Sequence, residues 1–112
     1  MKTFFKVLIL ILVLSSMILL MSCSSKGKKL VVGVSAEYPP FEYKEGAEFK
    51  GIDIEVARLI AEKLGLELQI QDMEFDSLIP SLTAGKIDMA ISAITITPER
   101  LEQIDFSDSY YS

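Results

Sequence analysis

The stretch Phe75–Tyr111, FDSLIPSLTAGKIDMAISAITITPERLEQIDFSDSYY, decides the fold. Asp76 or Ser77 caps a helix that runs through Ala84 and stops at Gly85. Ile87–Ser92 follows, nearly all apolar, the pattern of a parallel strand buried on both faces and therefore central. Thr97-Pro98-Glu99 opens a short helix, with a hydroxyl at the N-cap, proline at the first helical position and an acid in the first turn. Between strand and helix lie small and hydroxyl residues, and Arg100 comes eight positions after Ser92. A guanidinium grips a carboxylate through parallel N–H donors, and hydroxyls and helix N-terminal amides add neutral ones. The pattern suits a small carboxylate-bearing ligand, an amino acid first.

Upstream, the same logic repeats. Ile52–Leu64 is the clearest helix: Val56, Ile60 and Leu64 recur every four residues beside Ala57 and Ala61, which gives one apolar stripe. Asp53 and Glu55 complement the helix dipole at its start, so Asp53 reads as a helix-capping and dipole-complementing residue rather than a ligand group. Lys63 lies in the last turn and Gly65 just past the end. Leu66–Gln71 alternates as a strand with one wet face, and Leu30–Ser35 is a short β-branched run that reads as a buried strand. Ala36–Gly51 is a loop, because Pro39-Pro40 forbids helix. Within it, Glu45-Gly46 turns a small hairpin between Glu42-Tyr43-Lys44 and Glu48-Phe49-Lys50. The order of strands and helices is that of an α/β fold. Open parallel sheets bind ligands beyond the carboxyl ends of their strands, here after Val34, Gln71 and Ile91.

The N-terminus is a targeting segment. Lys2 and Lys6 precede an apolar run, Val7–Met21, of about 15 residues, long enough for a signal peptide core and short for a spanning helix. It ends in Leu20-Met21-Ser22-Cys23, which resembles a bacterial lipobox. That resemblance implies a signal peptide over 1–22, cleavage before Cys23 and lipidation of its thiol. Residues 23–29, with SSKGKK after the cysteine, form a flexible tether, and the folded part begins at Leu30. Cys23 is the sole cysteine, so no internal disulfide forms. After Cys23 there are nine basic residues against sixteen acidic ones, a net charge of −7. That disfavours nucleic acid as a partner. Without histidine or a second cysteine, no zinc site is expected, and no cofactor is implied.

Three stretches together resemble one family, the bacterial extracellular solute-binding proteins of family 3: LVVGVSAEYPPFEY at residues 30–43, GIDIEVARLIAEKLG at 51–65, and the stretch from Phe75. Ile52 stands where the family usually has phenylalanine. The resemblance implies a periplasmic-binding-protein type II fold, a Venus-flytrap of two α/β lobes. Residues 30–112 cover lobe 1, and the chain reads as truncated before lobe 2. It further implies a monomeric amino-acid receptor for an ABC permease, tethered to the cell envelope through Cys23.

The family's site residues fall on positions of this chain as follows. Arg100 matches the arginine that grips the ligand α-carboxylate, and Thr95 a donor to the same group. Ala93 matches a position whose backbone carbonyl accepts from the ligand ammonium, with Ser92 a weaker candidate beside it. Tyr38 and Phe75 match two aromatic residues that sandwich the ligand side chain, whereas Phe41 is assigned to packing. Ser35 stands where members selective for polar or basic amino acids carry an acid. A serine there weakens a claim for a basic ligand, although Glu37 nearby compensates in part.

Two other classes share the scaffold: an enzyme, such as cyclohexadienyl dehydratase or a lytic transglycosylase lipoprotein, and the sensing module of a receptor kinase. A dehydratase needs a general acid or base in the cleft, and the sequence offers no such constellation. The expectation is therefore a receptor, not an enzyme. A single lobe, lacking the partner for the ligand ammonium, is expected to bind weakly or not at all.

Overall fold

The computed structural model describes residues 1–9 and 27–112. The lipobox, Cys23 and most of the apolar run lie outside the described residues, as does most of the tether. Residues 2–9 are helical (α1), and no helix among the described residues is long and apolar enough to cross a membrane.

The rest begins with strand β1, Lys29–Val34, which runs into a small antiparallel sheet: β2 (Glu37–Tyr38), β3 (Glu42–Glu45) and β4 (Glu48–Lys50). Helix α2 spans Ile52–Leu64, β5 spans Glu67–Asp72, α3 spans Phe75–Thr83, β6 is Met89–Ala90, and α4 is Pro98–Leu101. The main sheet is parallel, in the order β5-β1-β6. The sequence placed Ile87–Ser92 at the centre. Instead β1 is central and β6 lies at an edge, with ladder pairing reduced to Val32↔Met89 and Gly33↔Ala90. Flanking bonds lengthen this attachment: Asp88 accepts from the Val31 amide at 2.8 Å, and Ile91 N–H donates to the Gly33 carbonyl at 3.0 Å. The apolar character of 87–92 comes from helices on both faces, with Ile87 beside Leu78 of α3 and Met89 and Ile91 packed into the cluster that holds Ile54, Ala57 and Ala61 of the other helix, rather than from a strand on each side.

α2 covers one face of the sheet. Ile54, Ala57 and Ala61 close on Leu30, Val32, Val34 and Ile91. The buried stripe is therefore rotated from the one read in the sequence: Val56 and Ile60 are half-buried, and Leu64 is exposed. Small alanines let the helix sit close to β1, and the bulkier residues fall to the flanks. The opposite face takes α3, and here Gly33 matters. A side chain at residue 33 would meet Ile87 Cδ1 at 2.5 Å and Leu78 Cδ2 at 3.1 Å, so its absence lets both fully buried residues lie on the sheet.

Two helix ends follow the sequence. Gly65 ends α2 in the left-handed conformation, and its N–H caps the Ala61 and Glu62 carbonyls. Thr97 caps α4 by accepting from the Arg100 amide, with Pro98 at the first position. At α3 the expected cap at Asp76 or Ser77 is not found: the helix begins at Phe75, both residues lie within its first turn, and Glu74 holds the cap position with no side-chain bond.

Candidate functional site

All three parallel strands deliver their carboxyl ends to one edge. β1 leads to Ser35 and Tyr38, β5 to Phe75, and β6 to Ser92, Ala93 and Thr95. Two adjoining concavities open there. One, of about 390 Å³, is lined by Ser35, Glu37, Tyr38, Glu42, Phe75, Ser92 and Ala93. The other, of about 460 Å³, shares Tyr38 and Ala93 and adds Phe41, Ile94–Ile96 and the segment 106–111. The structure thus brings Ser35, Tyr38, Phe75, Ser92 and Ala93 together in one pocket and places Thr95 in the next.

Arg100 lines neither concavity but joins them. Its guanidinium carbon stands 5.5 Å from the Phe75 ring centroid, and Nη1 donates to the Thr95 carbonyl at 2.7 Å. No salt bridge occupies it among the described residues. One carbonyl and one ring face leave most of its five N–H donors uncommitted. Tyr38 and Phe75 present 59% and 39% of their surface, so both rings remain open to a ligand. Phe41 does more than fill space: it stacks on Tyr38 at 5.7 Å and takes the edge of Tyr111 at 4.9 Å.

Beneath the cleft lies a buried polar layer that the sequence did not reveal. Ser92, nearly fully buried, accepts from the Ser35 amide at 3.0 Å and donates to Glu42 Oε1 at 2.7 Å. Its hydroxyl is therefore spent on fixing the β1 and β6 ends and the β3 carboxyl. Glu42 is 1% exposed, and its Oε2 finds no donor among the described residues. Burial pushes the Glu42 carboxyl up to about 7, the Ser92 bond lowers it, and the adjacent Asp53 carboxylate raises it again.

Asp53 is fully buried and does not cap α2; Gly51 holds that position and makes no side-chain bond. Instead Asp53 Oδ2 accepts from the Ala93 amide at 2.7 Å, and Oδ1 accepts from the Tyr110 hydroxyl at 2.6 Å. Ala93 has φ +46°, the one non-glycine residue with positive φ among the described residues. Such a conformation costs on the order of 1–3 kcal/mol and persists only where surroundings hold it. Nothing local marks Glu42 or Asp53 in the sequence. Their partners lie 40 to 57 residues away along the chain.

Comparison with known proteins places this architecture. The family described as bacterial extracellular solute-binding proteins, family 3, matches residues 30–112. The arginine-binding extracellular protein ArtP of Bacillus subtilis is 52% identical over 85 residues, 76% of this chain and 33% of that protein. The chain spans about a third of the length of the curated relatives it matches. Among solved structures, the arginine-bound form of domain 1 from TmArgBP is 51% identical with a TM-score of 0.72, covering 74% of this chain and 67% of that one. An ancestral cyclohexadienyl dehydratase shares the fold at 37% identity and a TM-score of 0.70, covering 74% of this chain and 35% of that one. With its fold that of a type II periplasmic binding protein and the match running through all described elements from β1 onward, the chain belongs to the bacterial extracellular solute-binding proteins, family 3.

Proposed function

We propose that this chain supplies the first lobe of the substrate-binding component of an amino-acid ABC importer, and that Arg100 and Thr95 receive the α-carboxylate of its ligand. The observation that carries this reading is the Arg100 guanidinium, stationed at the strand edge between Phe75 and the Thr95 carbonyl with no carboxylate partner among the described residues. A bidentate carboxylate is the natural complement of such a group. Ala93 offers its backbone to the ligand ammonium, and Tyr38 and Phe75 flank the ligand side chain.

A cationic amino acid, L-arginine first, fits best. Ser35 brings no charge to the pocket, but the exposed Glu37 lines it and no lysine or arginine does. The names of the arginine-binding relatives support the same choice. Domain 1 of TmArgBP in arginine-bound form supports binding by one lobe, the weak-binding side of the expectation that a single lobe binds weakly or not at all. In this reading the chain is a monomeric receptor, not an enzyme. It docks on a membrane permease and is exported and held on the cell envelope by a lipid on Cys23.

Calorimetric titration of the chain against a panel of L-amino acids tests the assignment. Arg100→Ala should weaken binding by about 2–4 kcal/mol and more than Thr95→Ala, because it strips a charge partner. A change below about 0.5 kcal/mol removes Arg100 from the site. Cys23→Ser should release the exported protein from the membrane fraction; equal membrane retention removes the lipid anchor.

A further inference from the structure

We propose that Asp53 is a positioning residue for the ligand site: its carboxylate clamps the Ala93 amide in the left-handed conformation that lays Ala93–Thr95 along the cleft, and the Tyr110 hydroxyl fixes that carboxylate from the other side. The proposal rests on the reading that this cleft binds an amino acid, and it adds a residue that touches no ligand. Asp53 is fully buried in the first turn of α2 and has no salt-bridge partner among the described residues. A buried carboxylate with no cation is costly to fold, and an apolar residue of similar volume serves stability better. What the carboxylate gains is two directed bonds, to Ala93 N–H at 2.7 Å and to Tyr110 O–H at 2.6 Å.

The first of these bonds falls on the one strained peptide of the cleft. Ala93 lines both concavities, and its φ of +46° is a conformation that alanine leaves when nothing holds its N–H. Two residues on, the Thr95 carbonyl accepts from Arg100. Rotation at Ala93 therefore displaces the acceptor that aims Arg100, and a buried aspartate controls the guanidinium without contact to it. Glu42 lies against Asp53 from β3 and shares the same enclosure. Its own bond to Ser92 fixes the residue just before Ala93, so the two carboxyls hold consecutive residues of one strand end.

Glycine supplies the test, because it adopts positive φ without a clamp. L-arginine affinity is measured by calorimetry for the chain as it stands, for Asp53→Ala and for Asp53→Ala with Ala93→Gly, together with amide exchange at residue 93. The expected result is at least a tenfold loss of affinity in Asp53→Ala with faster Ala93 exchange, and recovery of at least threefold when glycine replaces Ala93. An Asp53→Ala protein that binds within twofold of the parent overturns the proposal. So does a loss that glycine fails to recover, which makes Asp53 merely structural. Should Asp53→Ala not fold, Asp53→Leu replaces it. Leucine fills a similar volume and accepts no bond, so Ala93 exchange and affinity should still change, and parental values for both overturn the clamp. If the parent chain binds no amino acid, the receptor reading fails on its own account, and Ala93 exchange alone decides whether the clamp exists.

Discussion

The Tyr110 hydroxyl donates to Asp53 Oδ1 at 2.6 Å, tying the segment 105–111 to the start of α2 across 57 residues of chain. Burial, together with the facing Asp53 and Glu42 carboxyls, pushes the Tyr110 phenol up from its ordinary value, so it stays a donor throughout the neutral range. Tyr110→Phe keeps the ring and removes only the bond. A hydrogen bond to a charged acceptor contributes about 1.5–3 kcal/mol when buried, and Tyr110 is half exposed, so a loss of about 1 kcal/mol is expected. Urea unfolding measures it, and amide exchange should accelerate at 105–111 first. Parental stability and exchange in Tyr110→Phe show the tie to be absent in solution.

The Glu42 carboxyl predicts how stability depends on pH. Its folded value of about 7 lies above its ordinary 4.5, so between those limits the folded state holds a proton that the unfolded state has released. Stability then falls as pH rises from about 4.5 to 7 and levels off above, by up to about 3 kcal/mol. Asp72 has the opposite sign. Burial pushes its carboxyl up, but the Lys44 ammonium and the Ala36 amide outweigh burial and hold it below 3.8. The stability it lends is present above that value and is lost as pH falls below it. Urea midpoints at pH 5 should therefore exceed those at pH 7.5. Glu42→Gln, which cannot ionise, should flatten the difference, and an unchanged slope in that variant assigns it to other groups.

Gly51 and Gly33 separate two reasons for glycine. At Gly51, φ is +120° and a Cβ would lie 2.1 Å from the Phe41 carbonyl oxygen, a backbone atom that cannot swing aside. Gly51→Ala should cost at least about 3 kcal/mol, from overpacking and backbone strain together. At Gly33 the obstacle is the tip of Ile87, so Gly33→Ala combined with Ile87→Val should recover part of the loss. Thermal melts of the three variants check the order. A Gly51→Ala protein as stable as its parent contradicts the close approach.

Phe75 should matter to Arg100 as well as to the ligand. The ring holds the guanidinium at 5.5 Å, a contact of about 0.5–1 kcal/mol at an exposed site. Phe75→Leu keeps apolar bulk but loses that face, so arginine affinity should drop by about 1–2 kcal/mol, part of it through a less ordered Arg100. In a double-mutant cycle the effects of Phe75→Leu and Arg100→Ala should be less than additive. Strict additivity makes the two independent.

Local chemistry wrote much of this protein in its sequence. The bounds of α2, the Gly65 cap, the Thr97-Pro98 start of α4 and the hairpin around Gly46 each depend on residues within four or five positions, so the order of elements and the strand edge where Arg100 waits were legible. Strand order was not. Ile87–Ser92 is apolar whether it is central or at an edge under α3, and only the pairing of β1 with both β5 and β6 decides which. The buried stripe of α2 shifted to Ile54, Ala57 and Ala61 because close packing on β1 favours small residues over the longer aliphatic row. Asp53 looked like dipole chemistry because its partners, Ala93 and Tyr110, become neighbours only when the fold closes. A helix cap is a contract between adjacent residues. A buried carboxylate that fixes a strained peptide forty positions away exists only in three dimensions.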